Sequence, residues 1–81
     1  MHYVYILQSQ TDREKYYVGL TDNIERRLGQ HNHSPTCNYT KKYAPWELRM
    51  YLAFKDRQKA SEFEVYLKSP SGKAFLQKRL I

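Results

Sequence analysis

The chain has 81 residues, 41% of them hydrophobic, and a formal charge of +6. That length allows a single domain over residues 1–81 and excludes a second core, and eight tyrosines favour a folded globule over a disordered segment. The best apolar run, Tyr3 to Leu7, falls far short of a membrane span.

The charge is unevenly placed. Up to residue 40 the basic side chains (Arg13, Lys15, Arg26, Arg27) are balanced by Asp12, Glu14, Asp22 and Glu25, so the whole excess falls in the second half. Such an asymmetry points to a polyanionic partner, nucleic acid before membrane. A lone cysteine, Cys37, excludes an internal disulfide. With no secretion signal at Met1-His2-Tyr3, a reducing, cytoplasmic setting is expected.

Taken in order, Tyr3 to Leu7 is dense in β-branched and aromatic residues and predicts a strand. A polar turn follows, and Tyr16-Tyr17-Val18 predicts a second strand, antiparallel to the first. Gly19 closes it, and either a positive φ or a close backbone approach would require glycine there. Thr21 or Asp22 caps the first helix, with Glu25 completing a capping box if Asp22 is the cap. That helix runs to about Asn32 and stops at Ser34-Pro35. Thr36 to Pro45 is a connection long enough to suggest a functional loop. Trp46 to Phe54 predicts the third strand, with Leu48, Met50, Leu52 and Phe54 on one face. Asp56 caps a second helix through Lys68, and Ser71 caps a short basic helix from Lys73 to Leu80. The expected class is α+β: a three-stranded antiparallel sheet flanked by helices, in the order β-β-α-β-α-α.

Two helical stripes carry unexpected side chains. A core-facing stripe recurs at i, i+3, i+4 and i+7, and on the first helix Ile24 and Leu28 share theirs with Arg27 and His31. On the second, Ala60, Phe63 and Leu67 share theirs with Glu64. Ionisable groups facing inward are costly unless paired, metal-bound or open to a cleft. One solution is an Arg27–Glu64 ion pair with His31 as a satisfied boundary residue. The other is a polar pocket between the two helices and the sheet, where Glu64 ligates a hard divalent cation and Arg27 holds a phosphate. Tyr5 and Tyr17, on the first two strands, would present phenols to that pocket.

These residues resemble the GIY-YIG nuclease superfamily, and within it the small stand-alone bacterial proteins. Tyr3-Val4-Tyr5 stands where the family has GIY, and Tyr17-Val18-Gly19 stands for YIG. Arg27 follows Gly19 at the spacing of the family's helix arginine, and His31 falls at a position that carries histidine or tyrosine. Thr40 with Pro45-Trp46-Glu47-Leu48 is similar to the T…PW.L segment, and Ala60 to Glu64 to the A..FE segment. The match runs from Tyr3 to Lys68. Tyr3 departs from the glycine of GIY, and Leu20 stands where the repair-incision branch tends to place lysine.

The resemblance implies phosphodiester hydrolysis of DNA, in repair or recombination, dependent on Mg2+ or Mn2+ held by Glu64. It implies a tyrosine general base (Tyr17 or Tyr5), Arg27 as phosphate stabiliser and His31 as a positioning or proton-relaying group. A phenol is a poor base at its usual pKa of about 10, so such a site has to lower that value. With none of the extra modules of larger relatives, substrate choice falls to the 33–45 loop, the basic C-terminal helix or a partner chain. Lys41, Lys42, Lys68, Lys73, Lys78 and Arg79 are the candidate backbone contacts, and cutting both strands would take a homodimer or two visits. A non-catalytic nucleic-acid-binding module on the same scaffold is the alternative, and a protein-interaction subunit active only in complex is a third. His31, His33 and Cys37 match no standard zinc spacing.

Overall fold

The structure is a computed structural model that describes residues 1–33 and 41–81, with nothing drawn from the His33 side chain. The Ser34-Pro35 stop, Cys37, Thr40 and the 36–40 part of the connection lie outside the described residues. The order of elements is β1 (His2–Ser9), β2 (Tyr16–Thr21), α1 (Ile24–His33), β3 (Trp46–Phe54), α2 (Arg57–Lys68) and α3 (Pro70–Phe75), closed by a wider π-type turn over Leu76–Leu80.

β1 is central. The sheet order is β2-β1-β3, antiparallel throughout, which leaves β2 and β3 as edges. Side chains alternate across a strand, so β1 feeds two cores at once. Val4 and Ile6 face α2 and the C-terminus, where Ala60, Leu67 and Leu76 are buried with Phe63 and Leu80 against them. Tyr5 and Leu7 face α1, through Ile24 and Leu28, and meet the buried Trp46. Helices therefore cover both faces, and α1 and α2 lie on opposite sides of the sheet.

Several local expectations are corrected. β2 does not close at Gly19 but continues to Thr21, and Gly19 pairs with Tyr5 in the ladder. Its φ is not positive, so of the two reasons for glycine the close approach is the operative one. A Cβ there would overlap the Tyr5 ring, meeting Oη and Cζ and lying 2.7 Å from Cε1. Leu48 does not share a face with Met50, Leu52 and Phe54. A bulge lets Ile6 pair with Met50 and Leu7 with Leu48, so Arg49 is the extra residue and Leu48 turns to the α1 side.

The caps shift as well. Asn23 caps α1, accepting from the Arg26 N–H, while Thr21 Oγ1 accepts from the Asn23 N–H instead of capping the helix itself. Asp56 caps α2 as expected, accepting from Gln58 and Lys59. Ser69, not Ser71, caps α3 by accepting from the Gly72 N–H, and Pro70 takes the first helical position, where a missing N–H costs nothing. The last helix thus starts at Pro70, ahead of Lys73.

The glycines differ in what they tolerate, which gives a paired test. Gly19→Ala should cost about 1–3 kcal/mol through overpacking. In a domain this size that lowers the melting temperature by roughly 5–15 °C. Gly29→Ala, where an added Cβ meets nothing within 4 Å, should instead stabilise α1, by about 0.5–1 kcal/mol. Thermal melts of both variants followed by circular dichroism read this directly. Equal effects would contradict the packing described.

Candidate active site

The site is built around one phenol. Tyr5 is 1% exposed and projects from β1 over Gly19. Its Oη lies 3.0 Å from His31 Nε2 and accepts from Arg27 Nε at 3.4 Å. Arg27 and His31 are four residues apart on α1, so the helix presents both to the same spot. Arg27 Nη1 also donates to Gln30 Oε1 at 3.0 Å, which holds the guanidinium along the helix surface. Tyr17, on β2, stacks obliquely on His31 at 4.7 Å between ring centroids and sits 6.3 Å from the Tyr5 ring.

The end of α1 is pinned to β3. Asn32 Nδ2 donates to the Trp46 carbonyl at 2.9 Å, and the Trp46 N–H donates to Asn32 Oδ1 at 2.5 Å. This reciprocal clamp sets the depth of the neighbouring His31, which is 4% exposed. Neither Asn32 nor Gln30 stood out in the sequence, because an asparagine near a helix end reads first as a stop.

The electrostatics follow from burial and one cation. Burial, foremost, pushes the Tyr5 phenol above its ordinary 10.0, and the Arg27 hydrogen bond only partly opposes this. The expected depression of a tyrosine pKa is therefore not found at Tyr5. Burial and then the Arg27 charge push His31 below its ordinary 6.5, so the imidazole is neutral at neutral pH. Arg27 is held firmly charged, first by Tyr5, with Tyr17 also hydrogen-bonding it. A neutral Tyr5 has one proton to give. With the Oη also accepting from Arg27, giving that proton to His31 Nε2 would require the imidazole proton on Nδ1.

Glu64 is nearby without being bonded to this cluster. It is paired with Lys68, Oε2 to Nζ at 2.6 Å, with its side chain 17% exposed, and no Arg27–Glu64 pair occurs among the described residues. The shared interior pocket expected from the stripes is also corrected, since the two helices lie on opposite faces. Arg27 and His31 sit with the tyrosines on the α1 side, and Glu64 approaches from α2, close enough for its charge to act on Tyr5. Lys68 Nζ in turn sits over the Tyr17 ring at 5.8 Å. A single half-buried carboxylate is a hard oxygen donor of the kind magnesium or manganese takes alongside waters and substrate phosphates. The donor chemistry at Glu64 fits, with Lys68 as the competitor for it. Among the described residues no three His, Cys, Asp or Glu side chains cluster as a metal cage.

The GIY-YIG catalytic domain family model matches residues 1–79. This chain belongs to the GIY-YIG family. It is 34% identical to a UPF0213 protein of Clostridium perfringens over 77 residues, covering 95% of this chain and 81% of that protein. It is 31% identical to a UPF0213 protein of Halobacterium salinarum over 71 residues, covering 88% and 90% of the two. The solution NMR structure of a UPF0213 protein from Bacillus halodurans is similar in fold, with a TM-score of 0.56 at 30% identity, covering 95% of this chain and 82% of that one.

Lys68 and Lys73 border a cleft of about 460 Å³ beside Tyr16 and Tyr17. Lys78 and Arg79 are exposed on the final turn, and Lys41 and Lys42 are exposed before β3, with Lys42 Nζ 5.3 Å from the Tyr43 ring. No described helix is long and apolar enough to cross a membrane.

His31 offers a pH test. Its folded pKa is depressed, so the stability it contributes is full above about 6.5 and is lost as pH falls through the folded value. An NMR titration should show His31 protonating below the ordinary histidine value of 6.5. A midpoint at or above 6.5 would contradict the burial and charge described.

Proposed function

We propose that this GIY-YIG domain hydrolyses phosphodiester bonds of DNA, in repair or recombination, as a single domain over residues 1–81 in the cytoplasm. The observation that carries the reading is the Arg27–Tyr5–His31 hydrogen-bond chain over Gly19. It joins a fixed cation to a proton path in a form a phosphate could use.

The geometry supports the following roles. Arg27 binds a phosphoryl oxygen and stabilises the charge that builds on it during attack. Water attacks phosphorus as Tyr5 Oη takes its proton, while the Tyr5 proton passes to His31 Nε2. The P–O bond to the leaving oxygen breaks on the opposite side. Tyr5 never carries a full charge in this sequence, which suits a phenol whose pKa is raised. His31 ends cationic and returns the proton to solvent or to the leaving oxygen. Tyr17 positions the imidazole by stacking and shares Arg27. Glu64 would hold magnesium or manganese, which supplies Lewis acidity at the phosphoryl oxygens and stabilises the leaving oxygen. Lys68, Lys73, Lys78, Arg79, Lys41 and Lys42 would contact the DNA backbone, and a homodimer or partner protein would supply a second cut.

The Glu64–Lys68 ion pair supports a second reading. A carboxylate already neutralised by an ammonium suits a module that binds nucleic acid without cutting it.

Cleavage of plasmid, branched and single-stranded DNA with magnesium or manganese separates the two. The catalytic reading predicts cutting that Glu64→Ala abolishes and Tyr5→Phe slows by about 10²–10⁴-fold. Salt-sensitive binding with no cutting of any substrate supports the binder. Cutting retained by both variants would remove the assignment.

A further inference from the structure

The end of the sheet holds a second basic site that sequence order conceals. β2 finishes at Leu20 and Thr21, and a cleft of about 460 Å³ opens there between α1 and the start of α2. Arg26, Arg27 and Arg57 line it, joined by His2. Among the described residues the one carboxylate in its wall, Asp22, is already bound by Arg26 at 2.9 Å. Arg57 is exposed and has no hydrogen-bond or ion-pair partner among the described residues. The cleft is thus a concentration of guanidinium groups whose lone internal counter-charge is taken.

Its position gives it meaning. Arg27 belongs to both places: its Nε reaches Tyr5 while its side chain forms a wall of this cleft. α2 runs back along β2, since Arg57 borders Thr21 while Leu67 and Lys68 border Tyr17 and Val18. Glu64, two turns on from Arg57, therefore falls between the two clefts. Along the open edge of β2 the order is arginine cleft, tyrosine site with Glu64, then the cleft of Lys68 and Lys73. That is a line of positive charge with the reactive groups in its middle. Each strand of duplex DNA carries one charge about every 3.4 Å of helix axis, so a strand laid along this edge presents several phosphates to it.

We propose that the arginine cleft holds a second phosphate of the same strand, next to the one placed at Tyr5, and that Arg57 is the residue that positions it. This rests on the tyrosine site being a phosphodiester site. An acidic peptide is the rival occupant, because β2 is a free sheet edge. Forked guanidiniums around a polar cavity match phosphate oxygens better, since each presents paired donors.

The test measures binding without cleavage. Full-length protein is titrated into fluorescently labelled single-stranded and duplex DNA in chelator across a range of salt, with anisotropy as the readout. Wild type is compared with Arg57→Gln, Arg57→Lys and Arg49→Gln, the last removing the same charge from exposed β3. Circular dichroism confirms that each variant is folded. Arg57→Gln should weaken binding roughly tenfold and lower the salt slope by about one, with Arg57→Lys between it and wild type. Arg49→Gln should keep the wild-type slope. If wild type binds and Arg57→Gln matches Arg49→Gln, the inference falls while the tyrosine site stands. If wild type binds neither DNA, both fall together. Competition by polyglutamate as effective as by unlabelled DNA of equal charge also overturns the choice of a phosphate strand.

Discussion

The contact on which this site depends is the passage of the Tyr5 ring across a backbone with no side chain. Tyr5 and Gly19 are ladder partners, and the space a Cβ would take is filled by the phenol. Because the ring lies there, its hydroxyl arrives where α1 delivers Arg27 and His31. A side chain at residue 19 would not merely crowd the core. It would displace the atom at which a cation, an imidazole and the sheet meet.

Burial then decides the chemistry of that atom. Burial makes charge costly at both Tyr5 and His31, so the phenol holds its proton despite the cation beside it, and the imidazole stays neutral with that cation's help. A buried tyrosinate would be costly here. In the reaction we propose, a proton handed through the phenol, in on one side and out on the other, avoids that cost. The Asn32–Trp46 clamp keeps the receiving imidazole at the right depth. Glu64 and its ammonium partner act on this cluster from across the β2 edge, as a field more than as a contact.

Much of this arrangement was legible in the sequence, and what was missed has identifiable causes. The order of strands and helices followed from periodicity, and the inward set of Arg27 and His31 from their place in a stripe with Ile24 and Leu28. The strand positions of Leu48 and Gly19 were misplaced for opposite reasons. A bulge at Arg49 breaks strict alternation without any composition signal, and a glycine tolerated in mid-strand looks the same as one that ends it. The caps at Asn23 and Ser69 lost to neighbours of the same chemistry one or two residues away. Grouping Arg27, His31 and Glu64 in one pocket assumed helices on the same face. Which face a helix takes is set by the path of the chain between elements, not by its own pattern. Arg57 escaped notice for the same reason, since its partners in space come from α1.

The central claim is that Tyr5 gives its hydrogen bond to a neutral His31 while accepting one from Arg27. The nitrogen-15 shifts of the His31 imidazole at neutral pH test it most directly, in wild type and in Tyr5→Phe. A proton on Nδ1 and an unprotonated, hydrogen-bonded Nε2 that loses its bond in Tyr5→Phe is the predicted result. A proton on Nε2, or a Nε2 shift indifferent to the loss of the phenol, would contradict it.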